Sequence, residues 1–186
     1  IDSKLASDSR YRTIDDRPAT VAEVRAALKP GEGFLKISEV NQRLYAMYIS
    51  ADETFVYRVA GTPADTRTLE KLAADVRASI DGKLAEGQLV PFDDAKAFVL
   101  FKLFTGPAQA AILKANALVV DPAGPLQKLP LGVLVTSYDP TFKRPDAFDF
   151  SQTSFLAAKT ALSTAVSPRS FLVARALAPS QASDRK

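Results

Sequence analysis

Three short segments rich in β-branched and aromatic residues follow one another closely in the first third of the chain. They cover residues 34–40, 44–50 and 55–59, and the links between them read NQ and ADE. Valine, isoleucine, tyrosine and phenylalanine favour strands, and short polar links suit tight turns. This pattern predicts an antiparallel meander of three strands.

Apolar residues at helical spacing precede and follow the meander. Thr20 and Glu23 form a T-x-x-E capping box ahead of an apolar stripe, which predicts a short helix that KPG at 29–31 ends. Thr62 and Pro63 suit the cap and first position of a second helix, which DGK at 81–83 ends. Its predicted buried stripe consists of Leu69, Leu72, Val76 and Ile80.

The most apolar helix is predicted to begin at Asp93 or Asp94. Residues 95–113 are apolar nearly all round, and a helix without a wide polar face is normally buried. Gly106 and Pro107 should bend or interrupt this helix.

The remaining segments alternate between strand and helix patterns. Residues 118–120 predict a strand that is buried on both faces of a parallel or mixed sheet. DPAGP at 121–125 makes a turn, and residues 131–135 continue as a short strand or helix. A polar loop at 137–152 precedes a strand at 161–166, and Ser167 with Pro168 begins a last helix that runs to Ala178. The predicted fold class is therefore mixed α/β.

Composition narrows the classes of function. Apolar residues make up 47% of the 186 positions and charged residues 24%, which is ordinary for one globular domain. No apolar run approaches the roughly 18 residues of a membrane span, so we expect no membrane partner. The net charge of +3 is scattered along the chain, which does not favour nucleic acid as a partner.

The chain contains no His and no Cys. This absence excludes disulfides, thiolate metal sites and a cysteine nucleophile, and it removes the usual general base. We therefore predict no catalytic, cofactor-binding or metal-binding residue in this chain, and no cofactor.

Two acidic pairs are candidates for catalysis or metal binding. Asp93 and Asp94 could form a carboxylate pair, but acidic residues are also favoured at a helix N-terminus, and we predict capping. Asp52 and Glu53 could bind a metal, but their place between two strands favours a solvated turn.

Serine and tyrosine candidates are also better explained by structure. Ser167 and Ser170 have neither a histidine base nor a G-x-S-x-G elbow. Tyr45, Tyr48 and Tyr57 could stack bases on a sheet platform, but without a surrounding RNA-binding motif we predict that they pack in the strands.

The order of segments and one turn resemble a known family. The turn sequence matches a P-x-G-x-L-x-x-[LI]-P-[FL] pattern at Pro122, Gly124, Leu126, Leu129, Pro130 and Leu131. A later strand, Ser-Pro and helix with an arginine is matched by Val166, Ser167, Pro168 and Arg175. With these features the chain resembles the N-terminal half of a CHAT domain, a caspase-like peptidase domain found with tetratricopeptide repeats in bacterial proteins. Gln127 departs from the family, which often has a basic or imidazole residue at that place.

The resemblance implies a scaffold rather than a catalytic centre. The family's catalytic His and Cys lie further towards the C-terminus, so the implied partners are a C-terminal half of the same domain, upstream tetratricopeptide repeats, and a protein substrate. The implied organisation is an arm at 1–18, the CHAT-like part at 19–178 with an incomplete caspase-like mixed sheet, and a tail at 179–186. The alternative is a stand-alone, non-enzymatic protein-interaction domain, and a basic nucleic-acid-binding domain is a third reading.

The two ends of the chain do not have the features of an intact reading frame. The chain begins with Ile1 rather than Met and ends in SQASDRK, so we expect a processed product, a fragment or part of a longer protein. Because the N-terminus of the parent protein need not be Ile1, no targeting signal is inferred, and a cytoplasmic location is the working expectation.

Overall fold

The computed structural model describes residues 17–81 and 90–181. The strands are β1 Glu32–Val40, β2 Arg43–Ile49, β3 Thr54–Ala60, β4 Ala117–Asp121, β5 Val135–Ser137, β6 Ser154–Phe155 and β7 Ala161–Thr164. The α-helices are α1 Val21–Ala27, α2 Pro63–Asp81, α3 Asp94–Thr105, α4 Gln109–Lys114 and α5 Pro168–Gln181. Short 3-10 helices cover Gly106–Ala108, Gly124–Lys128, Leu131–Val133 and Leu156–Ala158.

A mixed five-stranded sheet forms the centre, with the strand order β3-β2-β1-β4-β7. Strands β1, β2 and β3 pair antiparallel, which confirms the predicted meander. Asn41 and Gln42 link the first two strands with positive φ angles of 51° and 59°, as a tight turn between paired strands requires. Strand β4 pairs parallel with β1, and β7 pairs parallel with β4. The predicted mixed α/β class is therefore confirmed.

The main core lies between one face of the sheet and helices α2, α3 and α4. Leu35, Leu118 and Val120 point from the strands into this core, where they meet Leu100 and Phe101 of α3. Burial of these apolar side chains is the dominant stabilising contribution to such a layered fold.

A smaller cluster covers part of the opposite face. Val24 of α1 and Phe171 of α5 pack there against Phe34, Ile49 and Val119. Because Val119 and Val120 point to opposite faces and are only 6% and 2% exposed, β4 is buried on both sides, as the sequence predicted.

Local helix signals are confirmed at the predicted starts. Thr20 and Glu23 form both hydrogen bonds of a capping box at α1. Thr62 Oγ1 accepts from the Asp65 amide at 3.2 Å, and the Thr62 amide donates to Asp65 Oδ2 at 3.0 Å. Gly106–Ala108 interrupts the apolar helix where Gly106 and Pro107 were expected to do so.

Two predicted apolar faces need correction. The buried stripe of α2 comprises Thr66, Leu69, Ala73 and Val76. Leu72 is half-buried and packs against the core, whereas Ile80 is 36% exposed. Helix α3 is not buried all round, since Val99 and Leu103 are 44% and 40% exposed on its outer side.

By length and composition alone, Asp94–Lys114 could also cross a membrane, and 44% of its most apolar window is buried inside the structure. In the described part of the chain this is one such segment. Core helices of soluble proteins can have the same length and apolar composition, so this is weak evidence for a membrane span.

The remaining boundaries differ by a few residues. Residues 131–135, for which strand and helix were both open, form a 3-10 helix at Leu131–Val133 followed by the first residue of β5. Helix α5 continues to Gln181, so it extends into the segment that was predicted as a tail. Residues 1–16 of the predicted arm, the predicted helix end at 82–83 and the tail residues 182–186 lie outside the described residues.

Candidate functional site

Strand β7 forms one edge of the central sheet. Its Ala161 amide donates to the Asn116 carbonyl, and the Ala165 amide donates to the Val120 carbonyl, both at 2.9 Å. Because successive residues of a strand direct their backbone groups to opposite sides, Leu162 and Thr164 direct theirs away from β4. No strand in the described part of the chain pairs with that side.

Hollows flank the β7 edge on both faces of the sheet. One of about 390 Å³ is lined by apolar residues of the turn and of β7, including Leu126, Leu131 and Leu162. The other, of about 510 Å³, lies beside Ser163, Val166 and Phe171. Val166 is 91% exposed, which leaves an aliphatic side chain in solvent at the end of the edge.

The Pro-Gly turn after β4 borders the first of these hollows. Gly124 has a φ of +59°, a backbone conformation that glycine adopts without steric cost. Leu126 is buried, and Gln127 Nε2 donates to the Pro122 carbonyl at 3.2 Å across the turn. The turn therefore acts as a packed support beside β7.

An ion pair lies at the carboxyl end of β4. Lys36 Nζ is 2.7 Å from Asp121 Oδ2, and the carboxylate side chain is 9% exposed. The carboxyl ends of parallel strands commonly form binding sites in open α/β sheets. Here the two charges satisfy each other, and the sequence supplies no imidazole or thiol to work beside them.

The two acidic pairs serve local structure. Asp93 Oδ1 accepts from the Lys96 amide at 2.9 Å, so Asp93 caps α3 as predicted. Asp94 forms an ion pair with Arg144 and does not act with Asp93 as a dyad. Asp52 is an exposed turn residue, and the Glu53 carbonyl accepts from the Ser50 amide at 2.9 Å. The described residues contain no acidic cluster suited to a metal ion.

Ser167 and Ser170 cap α5 reciprocally. The Ser170 amide donates to Ser167 Oγ at 3.0 Å, and the Ser167 amide donates to Ser170 Oγ at 2.9 Å. Each hydroxyl thus satisfies a backbone group at the start of the helix, which accounts for both serines without a catalytic role.

The three tyrosines do not form a common platform. The Tyr48 hydroxyl donates to the Ala111 carbonyl at 3.3 Å, and the Tyr57 hydroxyl donates to the Phe104 carbonyl at 2.9 Å. Burial raises the pKa of both phenols above the usual value. Tyr45 lies on the opposite face of β2, because it is an odd number of residues from Tyr48.

Sequence reasoning missed the charged residues that meet across the fold. Arg144 lies over the Phe150 ring at 4.6 Å, donates to Thr153 Oγ1 at 3.2 Å and pairs with Asp94. Lys36 was not predicted as a functional residue either. A lysine inside an otherwise apolar strand does predict that a carboxylate lies beside it.

No protein-family model matches this sequence, and no curated protein matches it significantly. The arrangement of the described residues supports binding at a strand edge and contains no assembled catalytic group.

Proposed function

We propose that this chain is the scaffold portion of a CHAT-type, caspase-like cysteine peptidase whose His and Cys lie in a further segment. In this proposal, a strand of that segment pairs with the free edge of β7. The scaffold then holds the catalytic segment in place and does not contribute to bond cleavage.

The observation that carries the proposal is the parallel edge strand β7 with its outward backbone groups. Such an edge is a template for another strand, and natural proteins normally cover or blunt it. Strands β1, β4 and β7 already run parallel, and the resemblance implies a mixed sheet that continues with further strands. Hollows on both faces provide room for the side chains of an added strand.

The Pro-Gly turn adds support. Pro122, Pro125 and Pro130 restrict the backbone, and Gly124 supplies the left-handed joint. A stiff turn beside the β7 edge would limit the positions that an added strand can take, which is what a scaffold for a catalytic dyad requires.

The first test is the reading frame that encodes this chain, followed beyond the codon for Lys186. We expect two further strand segments, one ending in His and one ending in Cys. A frame that stops at that codon, or continues without this pair, overturns the proposal and favours a stand-alone interaction domain.

The second test is biochemical. The downstream segment should cleave peptides only when it is joined to, or co-expressed with, this chain. Thr164→Pro should abolish this cleavage, because proline removes an outward N–H that an added strand needs. Full activity of the downstream segment alone would contradict a scaffold role.

A further inference from the structure

The second face of the sheet is covered only at one end. The register places Phe34, Ile49 and Thr54 side by side, and α1 and α5 pack over Phe34 and Ile49. Two positions further along β1, the next row consists of Lys36, Met47 and Val56. Met47 still packs against the cluster under these helices, but Val56 is 67% exposed, so the helical layer ends within that row.

The uncovered area, called here the basic half-face, begins at Val56 and continues beyond this row. It consists of Ser38, Val40, Arg43, Tyr45, Val56 and Arg58. Ser38, Tyr45 and Arg58 are adjacent across three strands, and Val40 pairs with Arg43 beside the Asn41–Gln42 turn.

The polar groups of the basic half-face are hydrogen-bond donors without partners among the described residues. Neither Arg43 nor Arg58 has an ion pair there, and the Tyr45 hydroxyl has no hydrogen bond there. On this face the nearest acid in the register is Asp121, and Lys36 already neutralises it. Glu39 is directed to the opposite face, beside Gly124, and Asp65 lies near Arg58 at Gly61 without an ion pair to it. The area therefore offers two free guanidinium groups and a phenol to a partner rich in negative acceptors.

The apolar groups specify the partner further. Val40 and Val56 are 54% and 67% exposed, and they alternate with the basic groups. Aliphatic side chains gain free energy by meeting other apolar side chains, which nucleic acid does not offer. Because Tyr48 and Tyr57 point into the core, a single tyrosine remains on this face, which is too little for base stacking.

Backbone pairing within the sheet restricts the kind of element that can bind this face. The strands β1 and β2 are paired on both sides, so over these two strands a partner contacts the face only through side chains. Strand β3, which carries Val56 and Arg58, forms an edge of the sheet. Helices are the elements that normally pack on a sheet face, and α1 and α5 already do so on the adjacent row.

From these observations we propose that the basic half-face binds an amphipathic α-helix of another protein, with acidic residues flanking its apolar stripe. Arg43 and Arg58 bind the carboxylates of that helix, while Val40, Tyr45 and Val56 pack against its apolar side chains. This interaction is separate from strand pairing at β7.

The test uses two synthetic helical peptides with one shared leucine face and either glutamate or lysine on the flanks. Fluorescence anisotropy should detect binding of the acidic peptide and weaker or no binding of the basic one. Arg43→Glu with Arg58→Glu should weaken binding of the acidic peptide about tenfold or more and strengthen binding of the basic one. NMR amide shifts caused by the acidic peptide should concentrate at Ser38, Tyr45 and Val56.

The matched control reverses two exposed charges on α2 and α3, with Arg67→Glu and Lys102→Glu. This variant has the same net charge as the first and should bind the acidic peptide as the parent chain does. Equal weakening in both variants overturns the proposal, because the attraction would then be non-specific.

Two other outcomes also overturn the proposal. The first uses single-stranded RNA of twenty nucleotides as a competitor: tighter binding of RNA than of the acidic peptide through Arg43 and Arg58 assigns the face to nucleic acid. If the acidic peptide binds only to a variant that begins at Arg17, the face is instead the binding site of residues 1–16 of the chain itself.

Discussion

At the scale of single residues, Gly124 is the position where the backbone most restricts the choice of side chain. Its φ is +59°, and an added Cβ would lie 3.0 Å from Glu39 Oε2 and 3.1 Å from Leu44 Cδ2. Both the conformation and the available space therefore favour glycine, as the turn pattern predicted.

Replacing Gly124 with valine should destabilise the fold. We expect a loss of about 1 to 3 kcal/mol, because a β-branched residue is poorly tolerated at positive φ. Urea denaturation of Gly124→Val measures this loss. Gly61→Val is the control, since a Cβ at Gly61 meets its nearest atoms only at 3.9 Å and no positive φ is required. Equal stability of the two variants would show that the turn does not need glycine.

Tyr57 joins β3 to the end of α3 through one partly buried hydrogen bond. Tyr57→Phe leaves the Phe104 carbonyl without the donor that lies 2.9 Å away. We expect a loss of about 1 kcal/mol in the free energy of unfolding, measured by urea denaturation. A variant as stable as the parent chain would mean that water replaces the phenol at this carbonyl.

At the scale of elements, an ion pair ties α5 to the start of β1. Arg175 Nη2 donates to both carboxylate oxygens of Glu32 at 2.7 Å. Burial opposes ionisation of Glu32, but the Lys29 amide and the Arg175 guanidinium hold the pKa of the carboxyl below its usual value of 4.5.

The lowered pKa predicts a pH-dependent contribution to stability. A carboxyl with a depressed folded-state pKa stabilises the fold above its unfolded pKa, and this contribution is lost as the pH falls through the folded pKa. Glu32→Gln should therefore cost about 1 kcal/mol at pH 7, and the difference from the parent chain should shrink as the pH falls below 4.5. The exposed Glu70→Gln serves as the control, and a difference that stays constant with pH would contradict the role of Glu32.

The backbone of β7 predicts an alternating pattern of amide hydrogen exchange. The Ser163 and Ala165 amides face β4 and should exchange slowly, whereas the Leu162 and Thr164 amides face outward and should exchange quickly. NMR-detected exchange distinguishes the four positions. Uniform protection along β7 would mean that the edge is already covered.

At the scale of the whole molecule, the open edge predicts self-association. An unpaired strand beside apolar hollows favours pairing with another copy. Sedimentation should show a concentration-dependent increase in mass, and Thr164→Lys should reduce it because a lysine blunts a strand edge. Thr68→Lys on the exposed side of α2 is the matched control. A single monomeric species at all concentrations would contradict this prediction.

Several elements of the fold could be predicted from local sequence signals alone. Strands β1 to β4 and the caps at Thr20, Thr62 and Ser167 follow from signals within a few residues, because propensity and capping act locally. The alternation of side chains in β2 also separates Tyr45 from Tyr48 without any structure. These features were accessible from the sequence.

Contacts between distant segments decided the rest. Lys36 and Asp121 are 85 positions apart, and Glu32 and Arg175 are 143 apart, so no local pattern could pair them. The free edge of β7 and the basic half-face exist because of strand order and because α1 and α5 cover only one end of the second face. Local sequence determines which elements form, whereas their order and coverage depend on how complementary surfaces from distant parts of the chain pack together.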